Sequence, residues 1–408
     1  MINSFKYVFV KTESSWFIGS FHHSLSFSSD GTTITGSTRA AGTPYLDDRP
    51  IHSDYRVNYD LGERGRVQLW ETATGAATWS FERSSFLVFS PTDPDIAALV
   101  RLRSIHIMKR DSFGGKTWGG QTSYHCTPCS GCAFDSNGKT IVKWDKKHVE
   151  EHNLTTSSWS MLRNYYYEQG AEDYQITSVV CCPIKPGLLV VGVGDGQGGL
   201  DIVSYADGRN SKSLCRVTPI NPARLSACAW SQDGKWIATG NDIGNVFLYN
   251  ADVPTSVSFA MVLPRGNRPK SSNIIKSTVT SLVFLPDSTA LIIISGGYLS
   301  VWDIEKVEYV TNSGLPDMAM NIALDAPGNR LAVAVNQSLW HNLNDPLWPR
   351  LISGPPWRNL FNAGLFTNAK ITIYELKLRE EMCQMDGRSS TSIPPPQPER
   401  QRRRWFNS

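Results

Sequence analysis

Cys228-Ala-Trp230-Ser-Gln-Asp233-Gly234, followed by Gly244 and then Asn245-Val-Phe-Leu-Tyr249-Asn250, is the stretch that decides the fold. A short apolar segment ends in an aromatic residue. A polar turn follows, then a second apolar segment, then an alternating one that closes on Trp or Tyr. The same sentence is spelled by Leu25-Ser-Phe27-Ser-Ser-Asp30-Gly31 and by Cys132-Ala-Phe134-Asp-Ser-Asn137-Gly138. Looser copies are Leu87-Val-Phe89-Ser-Pro91, Leu282-Val-Phe284-Leu-Pro286-Asp287 and Ile322-Ala-Leu324-Asp-Ala-Pro327-Gly328. With a unit starting at Ile176, the chain holds seven repeats of four short strands each. That pattern predicts an all-β fold, a seven-bladed β-propeller of four-stranded antiparallel blades.

The turn chemistry agrees. Asp-Gly and Asn-Gly pairs between the first two strands of a repeat are hairpin signals. Gly65, Gly244 and Gly297 each stand five residues before a third-strand aromatic, at Trp70, Tyr249 and Trp302. Glycine suits a tight turn there because it accepts positive φ. With strands lettered a to d from the central channel outward, the third strands are expected at Arg66–Glu71, Ile105–Met108, Val149–Leu154, Leu200–Tyr205, Asn245–Asn250, Leu299–Asp303 and Lys370–Glu375.

At these residues the chain resembles the WD40-repeat family, over roughly residues 20–376. Trp302-Asp303 is the one literal Trp-Asp pair, and Trp70-Glu71 is its nearest relative. The family's Gly-His dipeptide before strand a does not occur, so the resemblance carries no expectation of the buried Asp–His–Ser/Thr–Trp network. A propeller of another family fits the same strand pattern. What the resemblance implies is an interaction scaffold.

The propeller is expected to span 1–386, with insertions at about 39–62 and 336–369, followed by a disordered Pro/Arg-rich tail at 387–408. A propeller must close its ring, because an open sheet edge invites aggregation. Two segments compete for the outer strand of blade seven, Phe5–Val10 and Glu380–Met385. The N-terminal one alternates better and is favoured.

Composition narrows the function classes. The 408 residues carry a formal net charge of +3. The tail holds Arg388, Arg400, Arg402, Arg403 and Arg404 against Glu399, which leaves the body near neutral. A near-neutral body argues against a nucleic-acid-binding face. No run of about 18 apolar residues is present, so no membrane-spanning helix is expected. The N-terminus has no basic start with an apolar block after it, so no signal peptide is expected. Cys132, Cys181, Cys182 and Cys228 lie in expected strands and read as small buried hydrophobes, which suits the cytoplasm or nucleus.

Both insertions fall between strands b and c, in neighbouring blades one and seven, and should emerge together beside the channel mouth. The first contains Tyr45, Asp47, Asp48, His52, Asp54 and Tyr55, the second Trp340, His341, Trp348, Trp357 and Phe361. Loops this long in a compact fold are usually functional or disordered. The tryptophans pack the second insertion down as a lid, or form a partner-binding surface, since Trp and Tyr are enriched at interface hot spots. A small-molecule pocket is the third alternative. A d–a loop with Arg265, Arg268 and Lys270 should lie on the same face and suits an acidic partner or a phosphate. A solvated loop is the plain alternative.

No phosphate loop, Gly-x-Ser-x-Gly or His-Glu-x-x-His string occurs. His125-Cys126-Thr-Pro-Cys129-Ser-Gly-Cys132 is the most metal-like string, but Cys132 starts an inner strand and no second Cys-x-x-Cys pair follows. No metal and no cofactor are expected. Two function classes remain. The first is a monomeric, non-catalytic scaffold that binds a protein partner or multiprotein complex through Trp340, Trp348, Trp357, Arg265, Arg268, Lys270, Tyr45 and Tyr55. The second is a propeller enzyme or small-ligand binder acting at the channel mouth through Asp47, Asp48, His52 and His341.

Overall fold

The computed structural model describes residues 7–18, 20–39, 65–82, 84–101, 103–110, 118–126, 129–165, 175–194, 199–205, 212–217, 223–253, 258–262, 278–295, 298–314, 318–325, 327–338 and 367–378. Seven antiparallel four-stranded sheets stand in a ring, forming a seven-bladed β-propeller. The first strand, β1 (Tyr7–Ile18), belongs to the last blade. Blade one is β2 (Ser20–Phe27), β3 (Thr33–Arg39), β4 (Gly65–Glu71) and β5 (Ala77–Glu82). Blade two is β6 (Phe86–Phe89), β7 (Ile96–Arg101), β8 (Ser104–Arg110) and β9 (Trp118–His125). Blade three is β10 (Gly131–Phe134), β11 (Thr140–Trp144), β12 (His148–Asn153) and β13 (Ser158–Asn164). Blade four is β14 (Ile176–Cys181), β15 (Leu188–Val193), β16 (Gly199–Ser204) and β17 (Lys212–Val217). Blade five is β18 (Leu225–Trp230), β19 (Trp236–Asn241), β20 (Asn245–Asn250) and β21 (Phe259–Val262). Blade six is β22 (Val279–Phe284), β23 (Ala290–Ser295), β24 (Tyr298–Asp303) and β25 (Glu308–Gly314). Blade seven is β26 (Met318–Leu324), β27 (Arg330–Ser338) and β28 (Thr367–Leu378), with β1 as its outer strand.

The ring is thus closed by the N-terminal segment, antiparallel to β28 from Tyr7↔Leu378 to Ile18↔Asn368. The strand runs eight residues beyond the alternating stretch that ends at Val10. β27 and β28 also reach further than the repeat pattern indicates, to Ser338 and from Thr367. The tail and the interiors of both insertions lie outside the described residues.

Each blade junction has its own apolar cluster. Between blades five and six, Val246, Leu248, Val279, Leu291 and Ile293 are all fully enclosed. Second strands are covered on both faces, so Ala290–Ser295 is buried along its whole length and reads as an unbroken apolar run. Fourth strands such as Ala77–Glu82 meet solvent and admit polar residues.

The start of strand a carries a recurring irregularity. In blades four, five and six one residue bulges out of the a–b ladder, and it is Thr177, Ser226 or Thr280. Its hydroxyl donates to a carbonyl of the facing second strand, at Gly192, Gly240 and Ile294 respectively. Ser226 also reaches Val279 O in the next blade at 2.7 Å, and Thr280 reaches Ala319 O at 3.4 Å. The bulge therefore turns a local hydroxyl into a tie between blades.

At the end of the ring where the a–b turns lie, neighbouring turns form a closed circuit. Arg110 Nη2 lies 3.6 Å from Asp30 Oδ2, joining blades two and one. Gly138 lies against Thr92, and the Gly187 N–H donates to Asp135 Oδ2 at 3.0 Å. Gly234 lies against Ile184, and the Asp233 N–H donates to Ser288 Oγ at 3.2 Å. Gly328 abuts the Pro286 ring, and Gly31 abuts Asp325. Every junction is bridged at this end.

Candidate functional site

Strands alternate in direction along each blade, so b–c and d–a connections emerge at the opposite end of the ring. Two pairs of strand ends open there toward the long connections, Arg39 with Gly65 and Ser338 with Thr367. They belong to blades one and seven, which share an apolar cluster. Tyr45, Tyr55, Arg265, Arg268, Lys270, Trp340, Trp348 and Trp357 all lie outside the described residues, as do Asp47, Asp48, His52 and His341.

The described part of this face is richest between blades two and three. β7 ends at Arg101 and β8 begins at Ser104, which pairs with His125 at the end of β9. Arg101, Arg103 and His125 are exposed. Across the junction, the turn from Trp144 to His148 is held by Asp145. Its Oδ1 accepts the backbone N–H groups of Lys147 and His148, both at 2.7 Å, and its Oδ2 lies 2.9 Å from His148 Nδ1. This Asx turn projects Lys146 into solvent. Ser104 Oγ and His106 Nε2 are 2.8 Å apart. Burial, then the Arg101 cation and His125, lower the basicity of His106.

Cys126, Cys129 and Ser130 lie beside these turns. The Cys126 N–H donates to Arg103 O at 3.0 Å, and the Ser130 N–H donates to Trp144 O at 2.7 Å. Cys126 and Ser130 are therefore each tied to one of the two flanking turns. Gly131 has no room for a side chain because the Trp144 ring lies over it. Cys126 and Cys129 are both half-buried and pack against the apolar cluster of blades two and three. Cys129 beside it holds the Cys126 thiol below the ordinary thiol pKa. Burial opposes the shift and the Lys143 ammonium reinforces it, while Glu150 works against it. Cys129 is pushed the other way, by Cys126 and by burial. Cys132, in β10 beneath them, is buried, and that burial raises its pKa.

Below the thiols, Lys143 is buried and paired with Glu150 at 2.8 Å, with its ammonium 4.9 Å from the centre of the Trp159 ring. A buried ammonium is tolerated only with such partners. His152 is 1 % exposed and lies between Tyr124 and Trp159, with ring centroids at 3.9 and 4.3 Å. Neither of its ring nitrogens has a well-formed hydrogen bond. Burial lowers its basicity, against a smaller opposing effect of the Ser158 backbone.

A second polar cluster joins blades three and four. Asp201 is fully enclosed and accepts from Tyr165 Oη at 2.8 Å, Arg163 Nε at 3.1 Å and Ser213 Oγ at 2.5 Å. The carboxylate is fully satisfied by these donors, which suits a structural clasp.

Among the described residues, no three His, Cys, Asp or Glu side chains come together as metal ligands. Among the described residues, no helix is long and apolar enough to cross a membrane. Cys132, Cys182 and Cys228 are buried as the strand pattern predicts, whereas Cys181 is half-buried and Cys182 falls just beyond the end of β14. The Lys143–Glu150 and Arg163–Asp201 pairs carry no sequence motif; the buried Lys143 shows only as a single charge inside an apolar strand.

The fold and this site define a closed β-propeller with a thiol-bearing, cationic patch beside one junction. No protein-family model matches the chain, and no curated protein is found to be similar to it.

Proposed function

We propose that this protein is an interaction scaffold, a propeller of the WD40 type that binds a partner protein through the b–c and d–a end of its ring. One observation carries the reading: the strand ends of both long b–c connections open on the same end, in adjacent blades. The opposite end is committed to blade-to-blade contacts. A rigid ring presenting variable connections is the arrangement by which repeat scaffolds and loop-bearing folds generate binding surfaces. The WD40 assignment is supported by seven four-stranded blades, by Trp302-Asp303 closing a third strand, and by closure of the last blade with the N-terminal strand. Trp340, Trp348, Trp357, Tyr45 and Tyr55 are the proposed apolar anchors, and Arg265, Arg268 and Lys270 the proposed contacts for acidic groups. The scaffold is proposed to be monomeric by itself and to act in the cytoplasm or nucleus.

The test is affinity capture from the native cell, read by mass spectrometry. The intact chain is compared with one whose residues 339–366 are replaced by a short turn, and with Trp348→Ala/Trp357→Ala. A reproducible set of partners that disappears in both variants, with unfolding temperature retained, supports the reading. The same set captured by all three forms defeats this placement of the surface.

A further inference from the structure

We propose that Arg101, Ser104, His106 and His125, on the face of blade two that meets blade one, form a subsite for a tetrahedral oxyanion, a phosphate monoester or free orthophosphate. The inference does not rest on the scaffold reading.

The strand register sets the groups side by side. Arg101 pairs with Ser104, and Ser104 pairs with His125, which makes one rung across β7, β8 and β9. His106 stands two residues along β8 on the same face, opposite Leu99 and Ser123, with its Nε2 2.8 Å from Ser104 Oγ. Cβ atoms directly opposite each other on antiparallel strands are about 4.5–5.5 Å apart, so an oxyanion over Ser104 is within reach of the basic groups on either side. These cations are not neutralised. Among the described residues, no carboxylate is paired with Arg101 or His125. Among the described residues of blades one and two at this end of the ring, the carboxylate is Glu82. It is paired with Arg66 at 3.1 Å, on the opposite face of blade one from Val67 and Phe81, which meet blade two. The site also has a floor and an open mouth. Further down the same face, Leu99 and Met108 are buried against Val67, Leu69 and Phe81, and the Ser85 N–H donates to Val100 O at 2.8 Å. His106 is half-buried, while Arg101 and His125 are exposed. Burial, then Arg101 and His125, disfavour the charged form of His106, and an oxyanion seated among them removes that repulsion.

Each group has a part. Arg101 offers a planar fork of N–H donors that matches two oxygens of a phosphate. His106, once protonated, donates its Nε2–H to Ser104 Oγ, which turns the Ser104 hydroxyl toward the anion as a donor. His125, on the other side of Ser104, adds a second imidazolium. Binding therefore takes up protons, because the anion favours the charged forms of both histidines. Affinity rises as the pH falls through the imidazole range, which lies near about 6.5 for an ordinary histidine and lower for His106 in the free protein.

The experiment uses the full-length chain with isotope-labelled histidine, titrated at low salt and followed by NMR through the imidazole resonances. His106→Asn and His125→Asn assign the two signals. Orthophosphate and sulfate are the probes, and sulfate stays a dianion throughout, so a pH dependence of its binding belongs to the protein. Saturable shifts are expected at His106 and His125 and none at His148, whose ring is held by Asp145. Sulfate affinity should rise on the order of tenfold between about pH 8 and pH 6. Arg101→Ala should weaken both anions on the order of tenfold, with the unfolding temperature retained. A short peptide with one phosphoserine that binds more tightly than orthophosphate assigns the site to a phosphorylated partner, and equal affinities assign it to the free ion. Unsaturating shifts that His148 shares, or saturable binding that Arg101→Ala leaves unchanged, overturn the proposal. Sulfate binding that does not strengthen as the pH falls overturns the roles of the two histidines.

Discussion

The two ends of the ring are built by different rules. At the a–b end the seven junctions are bridged turn to turn, by contacts such as Asp135 to the Gly187 N–H and Pro286 to Gly328. At the b–c and d–a end the described links are hydroxyl ties such as Ser226 to Val279 O and side-chain pairs such as Arg224 with Gln175 at 2.8 Å. Between those links run the cationic turns, the thiol pair and the openings toward the long connections. One end is constrained by closure of the ring. The other can change its residues with little effect on the scaffold, which is what a recognition surface requires.

Substitutions should separate the two ends, and the largest effect is expected at Gly328. Its φ is 75°, and a Cβ there would meet the rigid Pro286 ring. Gly328→Ala combines a left-handed backbone penalty with overpacking and should cost about 2–4 kcal/mol, read as a lower denaturation midpoint. A midpoint within error of the parent would break the claim that this end closes the ring.

The next effect is a pH dependence at the junction of blades two and three. His152 is buried in its neutral form, with its folded basicity below the ordinary histidine value. An unfolded chain therefore binds a proton that the folded one resists. The stability this group contributes is complete above about pH 6.5 and is lost as the pH falls through the folded value. His152→Phe keeps the aromatic stack with Tyr124 and Trp159 and should move the acid-unfolding midpoint to lower pH. An unchanged midpoint would mean that other groups dominate acid unfolding.

The smallest effect is expected at Arg110. It is paired with Asp95 at 2.6 Å and with Asp30 at 3.6 Å, near the surface. Arg110→Ala should cost below about 1 kcal/mol, since partly exposed ion pairs contribute little. Burial pushes the Asp30 carboxyl up, but the Ser28 hydroxyl, Thr32 and Arg110 together hold it below the usual range. Removing Arg110 should raise it, which a carboxylate titration by NMR would register.

The sequence announces the features that are local. Asp30-Gly31, Asn137-Gly138 and Asp233-Gly234 mark hairpins because the turn geometry depends on those residues alone. The N-terminal closing strand is legible in Tyr7-Val-Phe9-Val10, but its continuation through Lys11 to Ser15 is not, because its pairing comes from β28 across the chain. The Lys143–Glu150 pair is a cross-strand neighbour relation that becomes visible only once the register Lys143↔Glu150 is known. Arg163 and Asp201 are 38 residues apart and belong to different blades. Cys126 and Cys129 are evident as a Cys-x-x-Cys string. Their setting depends on Arg103, Lys143 and Trp144, which the string does not contain. The aromatic anchors assigned to the partner surface rest on composition and on the strand ends that flank them.

The central claim is that stability and recognition are separated between the two ends. The most direct measurement is a crossed comparison of Gly328→Ala with Trp348→Ala/Trp357→Ala, each assayed for unfolding temperature and for partner capture at a temperature where both are folded. The account predicts that Gly328→Ala lowers the unfolding temperature and keeps the partners, while the double tryptophan variant keeps the unfolding temperature and loses them. Partner loss that tracks stability in both variants, or capture retained by the tryptophan variant, would contradict it.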